Sequence, residues 1–86
     1  MDDDAIQARI DALEQEEQRL RKEEEDSAEL GRTDVVSEDA GRLKEIKVEL
    51  DQLWDLLRQR RALRNAGRNP DEAEMRDQET VERYLG

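Results

Sequence analysis

Cysteine and histidine are absent from the chain. That excludes disulfide frameworks, thiolate nucleophiles and Cys-based zinc sites, and it removes the commonest general base and the usual nitrogen ligands of metals. A single proline leaves little to interrupt long helices. With one Trp, one Tyr and no Phe, the chain also lacks an aromatic platform on which nucleic-acid bases could stack. No stretch approaches the ~20 apolar residues of a membrane span. The opening MDDDAIQ lacks the basic region and apolar run of a signal peptide, so a cytoplasmic protein with no membrane contact is expected.

What remains is charge. Of 86 residues, 47% are charged and only 34% hydrophobic, a balance close to that of disordered or extended helical chains, so periodicity has to decide between them. A net charge of −10 opposes unassisted binding to nucleic acid or an anionic membrane and favours a basic or cationic partner. One small domain is expected. A core of this size supplies only about 3–5 kcal/mol, for which self-association is a natural remedy.

Periodicity argues for helices. Asp2, Asp3 and Asp4 complement the dipole of a first helix expected over about 4–26, whose apolar face is Ile6, Ile10, Leu13 and Leu20. Glu17 interrupts that face. The mixed run from Ser27 reads as a connection over about 27–37, with Leu30, Val35 and Val36 free to tuck back onto it. Ser37 is the expected N-cap of a second helix over about 38–66, Thr33 the competing start, and Gly41 weakens the first turn.

At about 100° per residue, Leu43, Ile46, Leu50, Leu53, Trp54 and Leu57 share one arc and form the core-facing stripe. Nearly opposite lies a second, uncharged stripe of Val48, Gln52, Leu56, Gln59 and Leu63. Gly67 and Pro70 close the helix. Asn69-Pro70-Asp71-Glu72 then reads as N-cap, proline at N1 and a capping box, opening a short helix over about 70–77. In the tail, over about 78–86, Val81, Tyr84 and Leu85 have the spacing of a last helical turn that docks on the second stripe.

The fold class is therefore all-α: an antiparallel, coiled-coil-like two-helix hairpin with a short C-terminal helix, dimerising into a four-helix bundle. If the hairpin turns near Arg32, facing residues sum to about 64. Ile6 then meets Leu57, Ile10 meets Leu53 and Trp54, Leu13 meets Leu50, Leu20 meets Leu43, and Glu17 falls beside Lys47. The basic run of Arg58, Arg60, Arg61, Arg64 and Arg68 resembles a nucleic-acid patch in isolation. In the hairpin it lies beside Asp2, Asp3 and Asp4 and at a helix C-terminus, where its charge has a structural use. Glu14, Glu16, Glu17, Glu23, Glu24 and Glu25 read as a solvated face. The di-iron bundle needs a Glu-x-x-His pair, and a calcium loop needs alternating oxygen ligands; neither pattern occurs, so no metal or cofactor is expected.

The segments AIQARIDALEQEEQRLR, RLKEIKVELDQLWDLLRQRRALRNAG and NPDEAEMR, with the ending VERYLG, resemble a family of short actinobacterial proteins catalogued as a domain of unknown function. The resemblance covers nearly the whole chain and is weakest in the connection. Its most specific part is Leu50-Asp51-Gln52 followed by Trp54-Asp55-Leu56-Leu57-Arg58-Gln59-Arg60-Arg61-Ala62. It implies a small stand-alone protein and supplies no mechanism.

No nucleophile, base and oxyanion stabiliser assemble in the sequence, so enzyme activity is not expected. The leading expectation is a non-enzymatic homodimer that presents an acidic surface to an unidentified protein partner. Its interaction surface is the second stripe, Val48, Gln52, Leu56, Gln59 and Leu63, with Trp54 as anchor. Two alternatives compete with it. One is an acidic-tipped coiled-coil regulator of RNA polymerase, for which the first helix is short; the other is a nucleic-acid binder acting through the Arg58–Arg68 run.

Overall fold

A computed structural model describes the backbone of residues 1–85 and their side chains except those of 33–35, 37, 84 and 85. Its order is α1 (Asp3–Glu29), α2 (Thr33–Asn65), a 3-10 turn (Pro70–Glu72) and α3 (Gln78–Leu85). No strand occurs among the described residues. The all-helical class and the hairpin expected from periodicity are what the chain adopts.

Asp2 opens α1: its Oδ1 accepts the Ala5 N–H at 2.8 Å, and Asp3 and Asp4 place negative charge in the first turn. The helix ends on Gly31 at φ 74°, where Gly31 N–H donates to Ala28 O at 3.2 Å and Arg32 N–H to Ser27 O at 2.8 Å. These two bonds make a Schellman cap. Arg32 is already the N-cap of α2, so the connection is Leu30, Gly31 and Arg32 rather than 27–37. Ser37 lies inside α2, and the competing start at Thr33 is the first helical residue. The polar Ser27 was misleading because it is a buried residue of the hairpin seam, 6% exposed. Leu30, in contrast, is 74% exposed and does not fold back. The side chains of Val35 and Ser37 lie outside the described residues.

The core is one seam between α1 and α2. Ile6, Ile10, Leu13 and Leu20 meet Ile46, Leu53 and Leu56, with Leu43, Leu50, Leu57 and Ala73 packed around them. Burying each such side chain is worth about 1.5–3 kcal/mol. On α2 the buried positions Asp39, Ile46, Leu53 and Arg60 recur every heptad, the spacing of a coiled-coil seam. Trp54, expected in that seam, stands about 100° round the helix from Leu53 and remains 49% exposed. Glu17 does not reach Lys47 either: it approaches Arg21 at 3.7 Å, and Lys47 approaches Asp51 at 3.6 Å.

Past α2, Gly67 at φ 72° repeats the Schellman geometry, with Gly67 N–H on Arg64 O and Arg68 N–H on Leu63 O. Asn69 Oδ1 accepts from Asp71 N–H at 3.0 Å, and Pro70 takes the first helical position. That start yields one 3-10 turn and not a helix over 70–77. From Ala73 (ψ 138°) the chain is extended until Asp77 caps α3 through Thr80 N–H at 2.8 Å. The tail is thus helical, and Val81 is 1% exposed. The side chains of Tyr84 and Leu85 lie outside the described residues.

The glycines separate cleanly by substitution. Gly31→Ala must place a Cβ at positive φ and should cost about 1 kcal/mol. Gly41→Ala lies within α2 with nothing near its Cβ, and should stabilise by about 0.5–1 kcal/mol. Thermal unfolding followed by circular dichroism should show Tm shifts of opposite sign for the two variants.

Candidate interaction surface

Three faces of α2 define what the molecule can offer. One meets α1. A second carries the arm, the segment from Pro70 to Leu85, whose 3-10 turn and helix, among the described residues, contact α2 and not α1. The third holds Trp54.

The arm is fixed by side chains reading its backbone. Gln59 Nε2 donates to Glu74 O at 2.8 Å, while Glu74 N–H donates to Gln59 Oε1 at 3.4 Å. One heptad earlier, Gln52 Nε2 donates to Arg76 O at 3.1 Å. Together the two amides replace the hydrogen bonds that a helix over 73–77 would make, which is why that segment is extended. Beneath them Asp55, 1% exposed, accepts from Arg58 at 2.6 Å and from Gln59 at 2.9 Å, and pairs with Arg76 at 3.5 Å. A buried carboxylate is tolerated because it is paired and hydrogen-bonded.

The expected interaction stripe is therefore mostly occupied by the chain itself. Gln52 and Gln59 hold the arm, Leu56 is 7% exposed in the core cluster, and Val81 of α3 packs nearby on α2. Val48 and Leu63 remain half-buried. Val48, Gln52, Met75 and Gln78 line an open groove of about 690 Å³ between α2 and the arm.

The arginines divide as their register suggests. Arg60, 7% exposed, donates to Asp3 and, at 2.8 Å, to Asp71, so it ties α1, α2 and the arm together. Arg64 donates to Asp3 at 3.0 Å, Arg58 to Asp55, and Arg68 pairs with Glu72 at 2.8 Å. Arg61 stays exposed. Little of the run is left as a free cationic patch for a polyanion. The Arg60 hydrogen bond, assisted by Arg64, holds the Asp3 carboxyl below its ordinary range.

Two fork-to-fork pairs, one heptad apart, lock one edge of the hairpin: Arg9 to Glu49 at 2.6 and 3.1 Å, and Arg42 to Glu16 at 2.6 and 2.9 Å. The arginine hydrogen bonds depress the pKa of Glu49 and of Glu16. Among the described residues no group of acidic side chains converges to hold a metal, and no helix is long and apolar enough to cross a membrane.

Arg60 pairs with Asp3 as the register of the basic run led one to expect, but two other important residues escaped the sequence reading. Asp39 was detectable, because it extends the heptad of Ile46, Leu53 and Arg60 by one step. Asp55 had a weaker signal: it stands three residues before Arg58 and four before Gln59, which is helical hydrogen-bonding reach.

Fold and surface together define a helical hairpin whose C-terminal arm is strapped to its second helix. A family profile described as "Protein of unknown function (DUF2630)" matches residues 2–86, and the chain belongs to that family. It is 56% identical over 50 residues to the uncharacterized proteins Rv0898c of Mycobacterium tuberculosis and Mb0922c of Mycobacterium bovis. The match covers 58% of this chain and 58% of each relative. No solved structure matches the chain.

Two variants test the site. Gln59→Ala removes both bonds to Glu74 and should lower protection of the arm amides by about 1–2 kcal/mol, read by hydrogen exchange, with the hairpin seam unaffected. Arg42→Met removes the partner of Glu16. Because the folded pKa of Glu16 lies below its unfolded value of about 4.3, the pair contributes fully above that pH and is lost as pH falls through the folded value. The Tm difference between parent and variant should stay constant from pH 7 to about 5 and close below about 4.

Proposed function

We propose that this chain is a non-enzymatic protein-protein interaction module that self-associates through its hairpin and presents an acidic surface to a protein partner. The observation that carries the reading is Trp54. The largest side chain of the protein stands 49% exposed on the face of α2 that neither α1 nor the arm covers. Half-buried Leu50 and Leu57 flank it. Covering the rest of the indole is worth about 2 kcal/mol per copy.

The surrounding chemistry supports binding over catalysis. Eight described hydrophobic side chains make up the buried core, a small reserve for a molecule 55 Å long. A second copy would enlarge it. The net charge of −10 keeps the assembly soluble and directs its outer surface towards basic partners. Four of the five arginines that would favour nucleic acid, Arg58, Arg60, Arg64 and Arg68, are engaged with carboxylates.

Light scattering over a wide concentration range should give twice the mass of the chain. Trp54→Glu should return it to a monomer while leaving the helical circular dichroism unchanged. A parent protein that is monomeric throughout that range would sink the reading.

A further inference from the structure

The free face of α2 is palindromic about Leu50. Leu43 and Leu57 stand seven residues to either side of it, and Asp39 and Arg61 eleven residues to either side. Leu43, Leu50 and Leu57 each lean one flank on the core cluster and leave the other open. At about 100° per residue they and Trp54 occupy one side of Leu53, while Gln52, Leu56 and Gln59, which face the arm, occupy the other.

Neither outer charge meets an opposite charge within one copy, among the described residues. Asp39 is 8% exposed, and its Oδ2 has no hydrogen-bond partner. It stands at the boundary between the hairpin seam and the free face. Arg61 is exposed on that face and, among the described residues, is the arginine of the basic run that meets no carboxylate. A buried carboxylate oxygen without a partner costs stability and is retained where a counter-charge can reach it.

We infer that the free face of α2 is the seam of a two-fold dimer in which α2 packs antiparallel on α2 of a second copy, centred on Leu50. This deepens the self-association proposed above and rests on it. An isologous contact requires that each residue meet its mirror position. Here Leu50 meets Leu50, Leu43 meets Leu57, and Asp39 stands level with Arg61 at both ends. Lys47 and Trp54 come within one residue of level, which sets an ammonium over an indole face, the geometry of a cation–π contact. Pairing α2 with α2 also keeps the two carboxylate-rich α1 helices apart, whereas a contact centred on Trp54 would set Lys47 against Arg61.

The absence of native cysteine permits a direct test. Leu50→Cys should form an interchain disulfide under mild oxidation, and a mixture of Leu43→Cys with Leu57→Cys should form the mixed disulfide in preference to either homodimer. Glu45→Cys, on the arm side of α2, should stay reduced. Arg61→Asp should weaken dimerisation by about tenfold, the worth of one such charge pair at each end. Combining it with Asp39→Lys should recover most of the loss. A dimer by light scattering that crosslinks through Glu45→Cys but not Leu50→Cys would overturn the α2 seam and leave self-association standing. A monomer would remove both.

Discussion

Everything in this molecule leans on α2, because its seam with α1 is where most of the buried apolar surface lies. Ile6, Ile10 and Leu13 are fully buried against Ile46 and Leu53, and apart from Leu20 and a few alanines the rest of α1 is polar or charged. Its Glu, Arg, Lys and Ala residues favour helix locally, but an isolated helix is marginal in water, so α1 is held by the packing of its apolar stripe. The same economy explains the sharp Schellman turn at Gly31. A three-residue connection gives up almost no ordered length, so both helices use their full seam down to Ser27 and Asp39.

With apolar side chains spent on that seam, the remaining contacts are made with polar ones. The arm docks through two glutamine amides, a buried aspartate and a single deeply covered valine. Each such hydrogen bond yields about 0.5–1.5 kcal/mol net, less than an apolar anchor, so the arm is the part of the fold with the least to lose on opening. Arg60 offsets this by bonding α1 and the arm at once. Its planar fork can serve two carboxylates from one side chain, which a lysine at this position could not do with the same geometry.

Much of this was legible in the sequence, and the parts that were not share a cause. The 3.6 period located both helices and the stripe of Ile6, Ile10, Leu13 and Leu20, because alternation of apolar and charged residues is a local pattern. Gly67, Asn69 and Pro70 announced the end of α2 and the next start by their backbone preferences. The polar residues of the seam were not visible in the same way. Ser27 resembled a loop residue and Gln52 and Gln59 a binding stripe, since a pattern scored on hydrophobicity cannot distinguish a polar group that faces solvent from one that faces the protein's own backbone. The extended segment after Glu72 was hidden for the same reason: its hydrogen-bond partners lie some fifteen to twenty-four residues earlier.

That difference also decides where a partner can bind. A surface stripe invites a partner only if its donors and acceptors are unfilled, and the amides of Gln52 and Gln59 are filled by the arm. Trp54 makes no comparable demand on polar partners beyond its indole N–H, and its uncovered ring lies beside leucines that are each only half used. On a chain with 47% charged residues, an aromatic and three leucines left partly bare along one helix form an apolar strip. In the dimer proposed above an identical strip on a second copy covers it, and the net negative charge of each copy leaves the apolar strip as the face where two copies gain most by meeting.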